Sequence, residues 1–196
     1  MPEMPPAARA FLTSGPYRFI ARRIVLPWVL QGEHPAGEGL EIGAGGGAMA
    51  AQLLAAYPEL RMTATDYDDS LLRSAEQALA PFGNRASVQR ADAADLPFGD
   101  NRFDLVLSAA MLHHVVAWEK ALAEAVRVLR PGGLLVGYDM LDSPLSRLLH
   151  IGRGHDIRLV RWGQMDAALG RLPVTGTRVR PGPAALVIRF AARKAA

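Results

Sequence analysis

From Leu40 to about Met140, short apolar runs of strand length alternate with segments whose apolar residues recur every three or four positions. That alternation builds βαβ units, and hence a parallel sheet covered by helices on both faces. The strand-like runs are Leu40–Ile42, Arg61–Thr65, Ser87–Arg90, Phe103–Ser108 and Leu134–Tyr138. The clearest helical period covers Trp118–Leu129, with Trp118, Leu122, Ala125, Val126 and Leu129 in register, and Arg130-Pro131-Gly132-Gly133 ends it. Glu119 and Glu124 start this helix and Arg127 and Arg130 finish it, signs that suit the helix dipole. A helix over Ala48–Tyr57 follows the first strand. Another follows Asp69 or Ser70, either of which can cap it, with Asp68 a further cap, and carries Leu71, Leu72, Ala75, Ala78 and Leu79 to the sheet.

The pattern changes after residue 140. Val174–Val179 and Ala184–Ala191 are strand-like but are separated only by Arg180-Pro181-Gly182-Pro183. A parallel neighbour needs a crossover of roughly a dozen residues, so this pair predicts an antiparallel hairpin at the sheet edge. Seven strands result. A helix is expected over Met165–Leu172. Before the first strand, Pro16–Gln31 reads as helical, with Ile20, Ile24 and Trp28 on one face, Arg18 and Arg22 on another, and a bend or break at Pro27. This segment is expected to pack on the domain; a lid over a cofactor or a membrane-touching surface are the alternatives.

At 196 residues, half of them hydrophobic, one domain with a sizeable core is expected. Its parts are a helical cap at 1–35, a core at 36–140 and a basic region at 141–196. The absence of cysteine excludes disulfides, thiolate metal sites and a cysteine nucleophile, and favours a cytoplasmic setting. Phe19–Leu30 is interrupted by Arg22, Arg23 and Pro27 and is too short to span a bilayer, and Met1–Ala10 does not read as a signal peptide. The net charge of +3 conceals an asymmetry: residues 36–145 carry eight cationic against fifteen anionic side chains, residues 146–196 ten against two. A basic end attracts nucleic acid, an anionic lipid surface or an acidic substrate, or is simply a solvated arginine surface.

The strongest local signal is Leu40-Glu41-Ile42-Gly43-Ala44-Gly45-Gly46-Gly47-Ala48, a strand running through a glycine-rich turn into a helix. Such a turn lets a ligand approach main-chain N–H groups at the end of the first strand. The spacing fits two cofactor classes. Gly43, Gly45 and Ala48 satisfy the dinucleotide fingerprint, and Glu41, Gly43, Gly45 and Gly47 an acid-headed glycine pattern. Asp66, closing the second strand, can accept both ribose hydroxyls of an adenosine under either reading.

Further along, Ala91-Asp92-Ala93-Ala94-Asp95-Leu96-Pro97-Phe98, then Phe103-Asp104-Leu105-Val106, Leu112-His113-His114-Val115 and Leu129-Arg130-Pro131-Gly132-Gly133 follow in order. Over residues 38–140 the chain resembles the class I S-adenosylmethionine-dependent methyltransferases, particularly the methyltransferase type 11 group. The resemblance implies a Rossmann-like α/β fold, a mostly parallel seven-stranded sheet with helices on both faces and a C-terminal antiparallel hairpin. It implies that Glu41 with Gly43, Ala44, Gly45 and Gly47 holds the amino-acid part of S-adenosylmethionine, Asp66 the ribose and Asp92 the adenine amine, and that Ala93 offers its N–H to the ring. Tyr67 and Ser108 join this expected cofactor set, whose product form is S-adenosylhomocysteine. The chain departs from the family in its short first strand, where Gly37-Glu38-Gly39 replaces apolar residues, and in Ala44, where cysteine is common.

Methyl transfer from a sulfonium is an in-line displacement, so alignment and water exclusion dominate and a base is optional. Where the acceptor must lose a proton, His114, then His113, are the first candidates, with Tyr138 and Asp139 near the expected pocket mouth and His150 and His155 weaker. The His pair can equally pack structurally. No ligand spacing supports a metal site. Cytosine C5 methylation lacks its cysteine, and Ser108-Ala109-Ala110-Met111 stands where enzymes acting on base amines carry an acid or Asn before Pro-Pro-aromatic. These features disfavour nucleic acid and favour a small-molecule acceptor, anionic or lipid-like. The competing functions are a nicotinamide-dependent oxidoreductase and a non-catalytic binding protein on the same fold.

Overall fold

A computed structural model describes residues 21–144, 146–147, 157–182 and 185–196. The chain forms β1 (Gly37–Ile42), β2 (Leu60–Asp66), β3 (Ala86–Arg90), β4 (Phe103–Ala109), β5 (Leu129–Met140), β6 (Val174–Pro181) and β7 (Val187–Lys194). They make one sheet in the order β3-β2-β1-β4-β5-β7-β6. β1 to β5 pair in parallel; β7 runs antiparallel to β5, and β6 antiparallel to β7. The hairpin thus closes one end of an otherwise parallel sheet, with β6 as the edge.

The helices are α1 (Leu26–Leu30), α2 (Ala48–Ala56), α3 (Asp69–Leu79), α4 (Trp118–Val128) and α5 (Gln164–Leu169). Successive strand residues point to opposite faces, and each face has its own core. Leu40, Ile42, Phe103, Val106, Leu135 and Phe190 pack with α4 and α5. Leu60, Met62, Leu105, Leu107 and Val136 pack with α1, α2 and Leu79 of α3. The apolar period of α4 explains its place, since Trp118, Ala121, Leu122, Ala125, Val126 and Val128 are all buried. Each large side chain so buried contributes about 1.5–3 kcal/mol.

Several boundaries differ from the sequence expectation. β1 starts at Gly37, because strand pairing is a backbone property: Gly37 pairs with Leu60, and the N–H of Glu38 donates to Asp104 Oδ2 at 2.8 Å. β5 starts at Leu129, opposite Phe103, while Leu134 lies opposite Leu105. Arg130–Gly133 is therefore an outswing within one long strand, and α4 stops at Val128. Arg130 caps no helix; it binds Asp104 at 2.6 Å. Glu124 lies a turn too late to sit at the helix start, where only Glu119 stands, and bonds Arg127 instead. α3 is capped by Asp68, whose Oδ1 accepts the Ser70 N–H at 2.7 Å. α5 is shorter than Met165–Leu172 and ends against Gly170.

The N-terminal segment is described from Ala21, so Arg18 and Ile20 lie outside the described residues. A π-helical turn over Ala21–Val25 runs directly into α1, with Pro27 in its first turn, so the expected bend or break at Pro27 is seen only as a change of helix type just before it. The expected apolar face is corrected: Ile24 is 62% exposed, and Leu26, Val29 and Leu30 are the buried residues. Trp28 meets Tyr138 edge-on at 5.8 Å. His150 and His155 also lie outside the described residues. Much of the basic C-terminal charge is consumed internally: Arg178 and Arg193 bind Glu33, Arg158 binds Glu119, and Arg189 donates to Trp28 O. No helix among the described residues is long and apolar enough to cross a membrane.

Candidate active site at the carboxyl ends of β1 and β4

The sheet order reverses between β1 and β4, and in open α/β sheets ligands bind in the crevice outside the carboxyl ends of the strands at that switch point. The crevice receives the Gly43–Gly47 bend after β1, Asp66 from β2, the Asp92 loop after β3, and Ser108 near the end of β4.

The bend faces Asp66. The N–H of Gly45 donates to Asp66 Oδ2 at 2.8 Å, and that of Asp68 to Oδ1 at 3.0 Å. Ala44 N–H donates to Thr65 O and Gly47 N–H to Ala44 O. Three amides of the bend are thus engaged by the protein itself, so the bend acts mainly by shape and by aiming Asp66 rather than as a row of open donors. Its glycines divide the work. A Cβ on Gly43 would strike the Met111 side chain at 2.7 Å, and one on Gly47 would press Ala75 of α3, so these two permit close packing. At Gly45, whose φ is +53°, a Cβ would meet nothing within 4 Å. That is the face of the bend open to a ligand.

Glu41 is buried beneath the bend. Its Oε2 accepts the Ala50 N–H of α2 at 2.8 Å, and its backbone O accepts from Thr65 Oγ1. Burial pushes its carboxyl up to about 8, against the Ala50 hydrogen bond that lowers it; the negative charge of Asp66 adds to the rise. A buried acid beside a second carboxylate is poised to meet a cation.

The ends of β2 and β3 are joined by Ala91 N–H donating to Asp66 O at 3.0 Å, which brings Asp92 alongside. Asp92 is exposed, and its Oδ1 accepts from Ala94 N–H. Ala93 is half-buried against the core. The loop is pinned from below by Arg127, which donates to the carbonyls of Leu96 and Phe98 and to Asp100, while Glu124 accepts the Leu96 N–H. Tyr67 is exposed, with the Arg90 guanidinium 4.8 Å from its ring centre. Ser108 is wholly buried, and its Oγ has no hydrogen-bond partner. An orphaned hydroxyl at the switch point, an open face at Gly45 and two buried carboxyls fit a polar, cationic ligand.

On the β4–β5 side, a 3-10 turn over Leu112–His114 separates the two histidines. His113 is buried, and its Nδ1 lies 2.7 Å from Asp139 Oδ1; His114 is exposed, with its ring centre 4.0 Å from that of His113 and the two planes tilted by 41°. Asp139, wholly buried, also accepts the N–H groups of Leu112 and Met140 at 2.7 Å each. With Nδ1 donating to this carboxylate, Nε2 is the basic ring nitrogen. His113 therefore has an orienting carboxylate in Asp139. Sequence reasoning placed Asp139 near the pocket mouth but missed that it holds His113; a lone acid ending a long apolar strand was the available signal. Met111 against Gly43 carried no signal at all.

The methyltransferase-domain family model matches residues 40–137, half of the chain. The chain is 36% identical over 108 residues to the ubiquinone/menaquinone biosynthesis C-methyltransferase of Desulfotalea psychrophila, covering 55% of this chain and 43% of that protein. It is 36% identical over 163 residues to the malonyl-[acyl-carrier protein] O-methyltransferase of Geobacter sulfurreducens, covering 78% and 60%. The chain thus spans about half the length of the curated relatives it matches. A solved structure from Pyrococcus horikoshii superimposes with a TM-score of 0.77 at 16% identity, covering 98% of this chain and all of that one. With the strand order, the glycine bend and the family match in agreement, the chain belongs to the methyltransferase-domain family of class I S-adenosylmethionine-dependent enzymes.

Proposed function

We propose that this protein is an S-adenosylmethionine-dependent methyltransferase acting on a small-molecule acceptor, anionic or lipid-like. The observation that carries the reading is the meeting of two buried carboxyls, Glu41 and Asp66, with the glycine bend at the switch point. When bound, S-adenosylmethionine supplies an electrophilic methyl group on a sulfonium. Glu41 and the bend of Gly43, Ala44, Gly45 and Gly47 would hold its amino-acid part and Asp66 its ribose hydroxyls. Asp92, with the Ala93 N–H, would take the adenine, Tyr67 its exposed side, and the buried Ser108 hydroxyl a polar atom in the crevice. Holding donor and acceptor in line contributes up to about 7–11 kcal/mol of barrier lowering.

The two curated relatives are named as a carbon and an oxygen methyltransferase; a carbon or hydroxyl acceptor loses a proton when methylated, whereas an ionised carboxylate does not. We assign that proton to His113, with Asp139 fixing its tautomer and stabilising the charged ring. His114, exposed on the same turn, takes the rim.

The test is thermal melting with S-adenosylhomocysteine, with NADH and with neither. At about a hundred times its dissociation constant a ligand adds about 2.7 kcal/mol of stability. S-adenosylhomocysteine alone is expected to raise the melting temperature; a shift with NADH and none with S-adenosylhomocysteine would overturn the proposal.

A further inference from the structure

Beyond the end of β5 the chain builds a second recess, lined by none of the proposed cofactor residues. Leu141 pairs in parallel with Val160, Asp142 N–H donates to Val160 O, and Val160 N–H to Met140 O. Arg158 N–H donates to the backbone O of His113 at 2.9 Å. The segment around Arg158–Arg161 is thereby laid against both the strand that carries Asp139 and the turn that carries His113. Between this segment and Asp142 opens a cleft of about 400 Å³.

Three guanidiniums and one carboxylate line the cleft, with Ile157 and Leu159 as its apolar part. The three arginines are not equivalent. Arg147 is committed to Asp142, through Nε at 2.6 Å and a second bond at 2.9 Å. Arg158 is committed to Glu119 at 2.6 and 2.7 Å and to Val116 O. Arg161 is 76% exposed, and the Asp142 carboxylate lies 4.0 Å from its Nε, beyond hydrogen-bond distance and already held by Arg147. Gln164 turns its Oε1 onto the Arg161 N–H, which leaves its amide nitrogen as a donor. Among the described residues the cleft therefore offers a planar guanidinium only weakly paired with Asp142, and a neutral donor, next to an aliphatic wall. This is the donor set that recognises a carboxylate or phosphate attached to an apolar body.

We propose that this cleft binds the oxyanion of the methyl acceptor, with Arg161 as the residue that selects it and Ile157 and Leu159 accepting the adjoining aliphatic part; the assignment of the anion to the acceptor rests on the methyltransferase reading. The reaction then consumes an acidic substrate whose charge is kept away from the methylated atom. The contact is exposed to solvent and is weakened by salt.

The experiment is calorimetric titration of the whole chain with butyrate and with butyl phosphate, each with and without saturating S-adenosylhomocysteine, for wild type, Arg161→Ala and Arg161→Lys. Arg161 is largely exposed, so its loss leaves the fold intact. At least one probe is expected to bind saturably, and which one identifies carboxylate or phosphate as the partner. Arg161→Ala is expected to weaken that probe about ten- to a hundredfold, with Arg161→Lys between, and to leave S-adenosylhomocysteine affinity within about twofold. Equal affinities in wild type and Arg161→Ala, or no binding of either probe, would overturn the cleft assignment. Failure of wild type to bind S-adenosylhomocysteine would instead count against the methyltransferase reading, because the titrations without it report on the cleft alone.

Discussion

Oε2 of Glu41 accepts the backbone N–H of Ala50 at 2.8 Å, tying the end of β1 to the first turn of α2 at a point sealed from water. The same carboxyl stands beside Asp66, and burial holds its pKa near 8, well above the ordinary 4.5. A raised pKa in the folded state means that the native protein keeps a proton the unfolded chain releases. The stabilisation is complete below about pH 4.5 and drains away as the pH climbs to about 8, by up to about 1.4 kcal/mol per unit. Glu41→Gln mimics the protonated form and keeps an acceptor for Ala50. The melting temperature of Glu41→Gln relative to wild type is therefore expected to rise steadily between pH 5 and 8 in matched buffers. A flat difference would show that Glu41 is ionised in the free protein.

The same proton reports on the cofactor. A cation bound beside Glu41 favours the carboxylate, so S-adenosylmethionine binding at pH 7 should expel a proton. Titration calorimetry in two buffers of different ionisation enthalpy measures that release, and Glu41→Gln should abolish it while weakening affinity.

Asp66 accepts from Gly45 and from Asp68 with different oxygens. Asp66→Ala leaves both N–H groups without this partner and removes the proposed ribose acceptor. Stability is expected to fall by about 1–3 kcal/mol, and the shift induced by S-adenosylhomocysteine should vanish. A variant that still binds at wild-type affinity removes the ribose assignment.

The order of elements was legible because each core strand and helix announces itself by period, and the hairpin because four residues cannot hold a crossover. The boundaries at Gly37 and Leu129 were not, since backbone pairing there ignores the glycines and prolines that read as breaks. Among the motif residues, the sequence could not distinguish scaffold from site. Phe103 and Phe98 meet edge-on at 5.1 Å in the core, and Asp104 holds Glu38 and Arg130. These residues carry the family pattern because they brace the sheet. Glu41, Asp66 and Ser108 stand at the carboxyl ends of the strands instead, and the burial of these polar side chains sets them apart. Pairing of His113 with Asp139 spans 26 positions, a distance over which no local periodicity speaks.

Arg127 is the brace beneath the Asp92 loop, with five hydrogen bonds to Leu96, Phe98, Asp100 and Glu124. The Arg127 bond holds Glu124 well below the usual carboxylate range. A depressed pKa gives stability that is present above about pH 4.5 and lost as the pH falls through the folded value. Arg127→Ala is expected to cost about 2 kcal/mol in urea unfolding at pH 7, and the deficit should shrink toward acid pH. Arg127→Lys should recover less than half, because an ammonium cannot reproduce the fork that spans two carbonyls and two carboxylates. Faster hydrogen exchange at residues 92–96 in Arg127→Ala would locate the damage in the loop.

His113 and Asp139 divide a proton-accepting role between a base and the group that orients it, and that division can be tested against mere packing. His113→Asn places an amide nitrogen where Nδ1 stood, so the bond to Asp139 can persist while the basic nitrogen is removed. Asp139→Asn keeps the shape but replaces one acceptor by a donor, against the N–H groups of Leu112 and Met140 and the His113 ring. If the pair only packs, His113→Asn should be nearly silent and Asp139→Asn should act through stability alone. If His113 takes the acceptor proton, both variants should bind S-adenosylhomocysteine as wild type does, yet transfer methyl about 10²–10⁴-fold more slowly to an acceptor found by labelled-donor screening. The pH profile separates the cases further. His113→Asn should regain rate at high pH, where the acceptor ionises unaided, and wild type should gain less. A single-turnover measurement from pH 5 to 9 decides between them, and an unchanged profile in His113→Asn would return the histidine to the core.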